Sequence, residues 1–146
     1  MSTFRQSQEE AEQFFREVAA LLKTPCDTEE AFQITKAVLH TLRDCITCEE
    51  SMHLVAQLPV LIKGIYFDGW KRNYHSHLVQ NMDEFLEEIR QHAPEYFVLD
   101  FSRNTLTVEK AKAVIQVLRN HSSAGGFWHV RNQMPKQLSS LFDIEE

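Results

Sequence analysis

Lys36-Ala37-Val38-Leu39-His40-Thr41-Leu42-Arg43-Asp44 and Lys112-Ala113-Val114-Ile115-Gln116-Val117-Leu118-Arg119-Asn120 are the two stretches that decide the fold. A shift of 76 residues (112 − 36) lays one on the other. The same shift, without a gap, lays His53 on His129, Gln57 on Gln133, Pro59 on Pro135, Ile62 on Leu138 and Tyr66 on Phe142. Upstream, Phe14-Phe15-Arg16-Glu17-Val18 resembles Phe85-Leu86-Glu87-Glu88-Ile89 at a shift of 71, so the second unit has five extra residues (76 − 71) after its first helix. Self-similarity at a fixed period dictates architecture. The expectation is an all-α helical bundle of two pseudo-repeated units, each of three to four helices. The units run from about 8 to 68 and from about 83 to 143, with a linker over about 69–82. Each has an apolar face too large to leave wet, so the two pack into one domain spanning 1–146, related by an approximate two-fold.

The periodicity supports helices throughout. Ser7 and Glu10 have the spacing of a capping box, followed by Ala11, Phe14, Phe15, Val18, Leu21 and Leu22 on one 3.6-residue stripe. Thr24-Pro25 stops that helix, because a residue before proline leaves the α region. Asp27 with Glu30, and Thr47 with Glu50, write the next two starts. On the second helix Ala31, Ile34, Val38, Leu42 and Cys45 form the buried face, and Lys36, His40 and Arg43 fall opposite. Pro59 kinks the third helix or begins a new one, and Asp68-Gly69 ends it. Helix resumes at Asp83 and again from about Thr107 to Asn120. Ser122 to Gly126 reads as a flexible turn before a final helical pair ending at Phe142. Residues 94–104, with Tyr96, Phe97, Val98, Leu99 and Phe101, read as a helical turn or packed loop.

Composition narrows the function classes. The 146 residues are 43% hydrophobic and 25% charged, as in water-soluble globular domains. Fifteen Lys and Arg against 21 Asp and Glu leave a formal charge of −6, which opposes phosphate backbones, so no nucleic-acid partner is expected. No run approaches a membrane span, and Met1 to Glu12 is not a signal peptide, so a cytoplasmic address is expected. Three cysteines, an odd number, do not suggest a secreted disulfide framework.

Ala37-Val38-Leu39…Leu42-Arg43-Asp44, Ala56-Gln57-Leu58-Pro59 and Tyr66-Phe67-Asp68-Gly69-Trp70 look like the first half of the family catalogued as domain of unknown function 2267. Val130-Arg131-Asn132-Gln133-Met134-Pro135…Leu141-Phe142 is similar to its second half, with Met134 in place of the usual Leu. The resemblance runs from about Phe14 to Phe142. It implies a small bacterial, cytoplasmic, helical protein and no particular activity.

Candidate chemistry is sparse. Cys45-x-x-Cys48 places Cys48 just after the cap Thr47, where the helix dipole favours a thiolate. Cys26 and His53 would complete four zinc ligands, but a structural zinc site uses two tight pairs and only one is present. Cys45 also falls on the apolar face, where cysteine serves as a small hydrophobe. His75-x-His77 has no third ligand beside it. His53 and His129 stand four residues before Gln57 and Gln133. They suggest hydrogen bonds to backbone groups freed by Pro59 and Pro135, with both glutamines at least partly buried. Lys36, His40 and Arg43, with Lys112, Gln116 and Arg119, form a cationic stripe on each unit. That stripe is either a solvated face or a docking surface for an acidic partner. No phosphate loop, nucleophile elbow or His-Glu-x-x-His is present.

The favoured function is therefore a non-catalytic protein-interaction or self-associating module, displaying Tyr66, Phe67, Trp70 and Tyr74. No catalytic residue, cofactor or metal is expected. The alternative is a metal-binding or thiol-redox protein using Cys26, Cys45, Cys48 and His53.

Overall fold

Asp27 and Thr47 open their helices as their spacing predicts. Asp27 Oδ1 accepts from the Glu30 N–H at 2.8 Å, and Thr47 Oγ1 accepts from the Glu50 N–H at 3.1 Å. These and six further helices are seen in a computed structural model that describes residues 3–22, 27–70, 79–93 and 104–143. The helices are α1 (Phe4–Leu21), α2 (Thr28–Arg43), α3 (Cys48–Val55), α4 (Val60–Phe67), α5 (Met82–His92), α6 (Asn104–His121) and α7 (Ala124–Gln133), followed by a terminal 3-10 helix (Lys136–Phe142). Among the described residues there are no strands, so the fold is all-α. The expected turn or loop over 94–104 lies, but for Asn104, outside the described residues, as do Cys26, Tyr74, His75 and His77.

Four starts differ from the sequence reading, one of them that of α6, which begins at Asn104 and not about Thr107. Thr3, not Ser7, caps α1, accepting from the Gln6 N–H at 3.1 Å. Thr3 and Gln6 have the same capping-box spacing one turn earlier, and the extra turn satisfies N–H groups that a start at Ser7 would leave free. Asn81 rather than Asp83 caps α5, accepting from the Glu84 N–H at 3.0 Å. The Ser122–Gly126 stretch is not a turn throughout. Ser123 caps α7 and accepts from the Gly126 N–H at 3.1 Å, so Gly125 and Gly126 form its first turn. A Cβ on Gly126 would meet Ser123 Oγ at 2.9 Å, which explains glycine in a helix there.

Pro59 ends α3 and stands at the N-cap of α4, where its missing N–H costs nothing. Gly69, at φ 70°, ends the run in the left-handed region that favours glycine. Helices α2, α3 and α4 begin at residues 28, 48 and 60; α6, α7 and the 3-10 helix begin at 104, 124 and 136, each 76 later. The last members differ in winding, α in one and 3-10 in the other.

Helix α2 is the hub. It packs on α1, α4, α5 and α6, and every residue from Ala37 to Ile46 is buried. A helix with one apolar stripe normally wets its other face. Here the polar face is covered as well, by α4 and α5. Across the middle of the molecule α1 packs on α6 and α3 on α7. His121 Nε2 meets Glu17 Oε2 at 2.9 Å and its ring lies 5.3 Å from Phe14, tying the end of α6 to α1.

Within the core, Ser51 Oγ and Tyr66 Oη share a buried hydrogen bond of 2.6 Å between α3 and α4. The positions 76 residues later are Phe127 and Phe142, whose rings lie 5.5 Å apart. Tyr66→Phe is expected to cost about 1–3 kcal/mol, because it strands the Ser51 hydroxyl in the core. The double variant Ser51→Ala/Tyr66→Phe should recover most of that loss in urea unfolding. An additive double variant would show that the two hydroxyls do not depend on each other.

Candidate functional site

The C-terminal end of α2 and the two residues after it gather the most chemically unusual residues of the described structure. His40, Arg43, Asp44 and Cys45 are each less than 9% exposed. Their placement follows from the C-terminus of α4, where the Asp68 N–H serves the Gly64 and Ile65 carbonyls and the carbonyls beyond need other donors. His40 Nε2 donates to the Ile65 carbonyl at 2.7 Å. Arg43 Nη1 donates at 2.7 Å to both the Tyr66 and the Asp68 carbonyls. Its guanidinium also lies 5.9 Å from the Trp70 ring centroid, over a ring that stacks on Phe67. Cationic donors at a helix C-terminus satisfy both the orphan carbonyls and the dipole.

The expectation that Lys36, His40 and Arg43 form an exposed stripe is therefore corrected. His40 and Arg43 are buried against α4, and Lys36 is half-buried. Tyr66 is likewise fully buried rather than displayed, and Trp70 is half-buried in the aromatic cluster. In the second stripe Lys112 is exposed and Gln116 half-buried, bonded to Asn120. The Arg119 guanidinium lies 5.8 Å from the Phe127 centroid.

A carbonyl oxygen can only accept, so His40 carries a proton on Nε2, and burial favours the neutral ring. Burial lowers its pKa from 6.5 to about 4, the nearby Arg43, His92 and Lys36 charges add to this, and the bond to Ile65 opposes it. The folded-state value lies below the unfolded one, so as pH falls from 6.5 towards 4 the unfolded chain gains a proton that the folded one refuses. Stability is thus lost over that window, by about 3 kcal/mol at most. His40→Gln keeps a donor but cannot titrate. Wild type should lose up to that much more stability than the variant between pH 6.5 and 4 in denaturant melts. Parallel pH profiles would show that His40 is not the sensitive group.

Beside His40, the next residue round α2 is Asp44. Asp44 Oδ2 lies 3.1 Å from His92 Nε2, and Glu88 Oε2, one turn back on α5, lies 4.0 Å from the same nitrogen. The His40 and His92 rings meet edge to face at 5.7 Å. Sequence reasoning missed Asp44, Glu88 and His92 because they come from two helices 44 residues apart (88 − 44). The one local signal was Glu88-x-x-x-His92, a pair on one helical face.

Among the described residues Cys45, Cys48 and His53 form no ligand group, and Cys26 lies outside them. Cys45 is buried, its Sγ 3.3 Å from the Thr41 carbonyl, and burial next to Asp44 and Glu88 pushes its pKa far up. A thiol so held is a poor nucleophile. Cys48 is exposed. Iodoacetamide at pH 8 is expected to label Cys48 in the native protein and Cys45 only after denaturation, as peptide mass mapping would show. Equal native labelling would overturn the packing role of Cys45.

The glutamines expected to mend the proline breaks do not do so. Gln57 and Gln133 are exposed, as are His53 and His129. Main-chain bonds close these corners instead: the Leu58 N–H to the Val55 carbonyl and the Lys63 N–H to the Pro59 carbonyl, each 3.0 Å, and the Leu138 N–H to the Pro135 carbonyl at 2.8 Å. Because Pro59 and Pro135 sit at N-caps, they leave fewer orphan groups than a mid-helix proline would. His129 has another use, meeting Glu50 Oε1 at 2.9 Å across the α3–α7 contact.

A concavity of about 670 Å³ lies between α1 and the α3–α4 corner. Glu9, Glu10 and Gln13 form one wall, Leu58 and Pro59 the other, and Val60 stands exposed at the lip. Among the described residues no helix is long and apolar enough to cross a membrane.

A family model described as Uncharacterized conserved protein (DUF2267) matches residues 8–141. Among curated proteins none matches the chain.

Proposed function

From the premise that the chain belongs to the DUF2267 family of uncharacterized conserved proteins, whose description names no activity, we propose that it is a protein-interaction module. It docks a basic, apolar-tipped segment of another protein in the cleft between α1 and the α3–α4 corner. The observation behind this reading is the pairing of an acidic wall with an apolar lip. Glu9 is exposed, Glu10 is held by Gln6 at 3.2 Å, and Val60 presents an open side chain beside Pro59. The one arginine in the cleft, Arg16, is engaged by Gln13 at 3.1 Å and by Glu12 at 3.9 Å, so its charge is partly answered within α1. A net charge of −6 steers a basic partner towards the chain.

In the same reading the chain is one cytoplasmic domain made of two copies of a helical unit. The equal offsets of its helix starts support this, as do the Ser51–Tyr66 and Phe127–Phe142 contacts at the same offset. The exposed Met52 and Trp128, also 76 residues apart, stand on α3 and α7 and offer a surface for self-association.

Fluorescence anisotropy with a labelled Lys- and Leu-rich amphipathic peptide tests the cleft. Glu9→Lys/Glu10→Lys is expected to weaken binding about tenfold, on the order of 1.4 kcal/mol. Val60→Asp separates docking from loose attraction: it adds negative charge, so non-specific binding would tighten, whereas docking against the lip weakens. Tightening, or a concentration-dependent dimer that excludes the peptide, would overturn the proposal.

A further inference from the structure

We propose that Asp44, Glu88 and His92 form a binding site for one divalent transition cation, of the Mn²⁺ or Zn²⁺ type, between α2 and α5. The three donor atoms lie within 4.8 Å of one another, and they form the one such group among the described residues. Glu88 and His92 stand one helical turn apart on the same face of α5, so both point at Asp44 on the facing helix.

The hydrogen bonding within the group is incomplete in a way that a cation would complete. His92 Nε2 has one position to share, and it meets Asp44 Oδ2 at 3.1 Å. The second carboxylate, Glu88 Oε2, is left at 4.0 Å from that nitrogen, beyond hydrogen-bond reach. Two carboxylates thus face one imidazole, and one of them, Asp44, is only 3% exposed. Burying a carboxylate beside another is costly unless positive charge answers both. A proton on His92 supplies one charge and one directed bond. A divalent cation supplies two charges and accepts both oxygens and the imidazole lone pair together.

The rest of the site fits that occupant. Metal–ligand distances of about 2.0–2.2 Å require the donors to close on one point, an adjustment of about 1 Å that the half-buried Glu88 side chain can make by rotation. One nitrogen and two oxygens exclude a thiolate-selecting site and suit Mn²⁺ or Zn²⁺ over Ca²⁺. The site also adjoins the buried cap of α4, since the ring of His40 packs edge-on against His92 at 5.7 Å. Three protein ligands leave positions open to water or to a ligand carboxylate.

The experiment is calorimetric titration of chelator-treated, tag-free protein with MnCl₂ and, in a Cys48→Ser background that removes an exposed thiol, with ZnCl₂. One ion per chain is expected at micromolar affinity or tighter, with a matching rise in melting temperature. Glu88→Gln and His92→Gln should each weaken binding at least tenfold while the metal-free proteins keep the wild-type circular dichroism spectrum. Both residues lie at the surface side of the site, which spares the fold as Asp44→Asn would not. Co²⁺ substitution adds a direct signature, a visible absorption band lost in His92→Gln. Failure to bind either ion, or binding unchanged by both substitutions, would overturn the site.

Discussion

The buried guanidinium of Arg43 organises this molecule. Two carbonyls at the end of α4, those of Tyr66 and Asp68, converge on its Nη1 at 2.7 Å each, and His40 takes the Ile65 carbonyl at the same distance. A short eight-residue helix is marginal by itself, and most of its stability must come from tertiary contacts. The side chains of α2 supply what α4 lacks, a partner for its C-terminal dipole. In exchange α4 covers the polar face of α2, and that cover makes a central helix of an amphipathic one.

Several features follow from that exchange. Once Arg43 is turned towards α4, Asp44 is committed to α5, where His92 meets it. Cys45 is drawn beneath both and loses its reactivity to burial. His40, wedged between the Ile65 carbonyl and the His92 ring, must stay neutral, which makes mildly acidic pH a destabilising condition. The polar residues of α2 thus form one connected seam from α4 to α5, and a cation at the α5 end would sit directly on it.

Residues 76 positions further on make different contacts. Arg119 lies over Phe127, as Arg43 lies over Trp70. His121 pairs with Glu17 at the position where the first half places Cys45. Where Glu50 reaches His129, the corresponding residue is Gly126, which packs under its own helix cap. At the 76-residue offset large apolar positions keep their character, while polar positions such as Ser51 and Glu50 correspond to Phe127 and Gly126. Packing requires only volume and shape, but each hydrogen bond depends on what a neighbour presents.

By itself the sequence determined the all-α class, the caps at Asp27 and Thr47, the breaks at Pro59 and Pro135, and the apolar stripes of α1 and α2. Those are local or periodic properties, settled by backbone sterics and by the 3.6-residue turn. Cap position within a turn was less legible, because Thr3 and Ser7 are both good caps and the longer helix wins. The tertiary structure alone decided which polar faces are wet. Nothing in Lys36-Ala37-Val38-Leu39-His40-Thr41-Leu42-Arg43 indicates that Arg43 will meet carbonyls 23 and 25 residues away, or that Asp44 will meet a histidine 48 residues on. An arginine looks the same in sequence whether it meets water or an orphan carbonyl. Only the approach of α4 and α5 to α2 distinguishes the two, and that approach is set by the packing of the whole core.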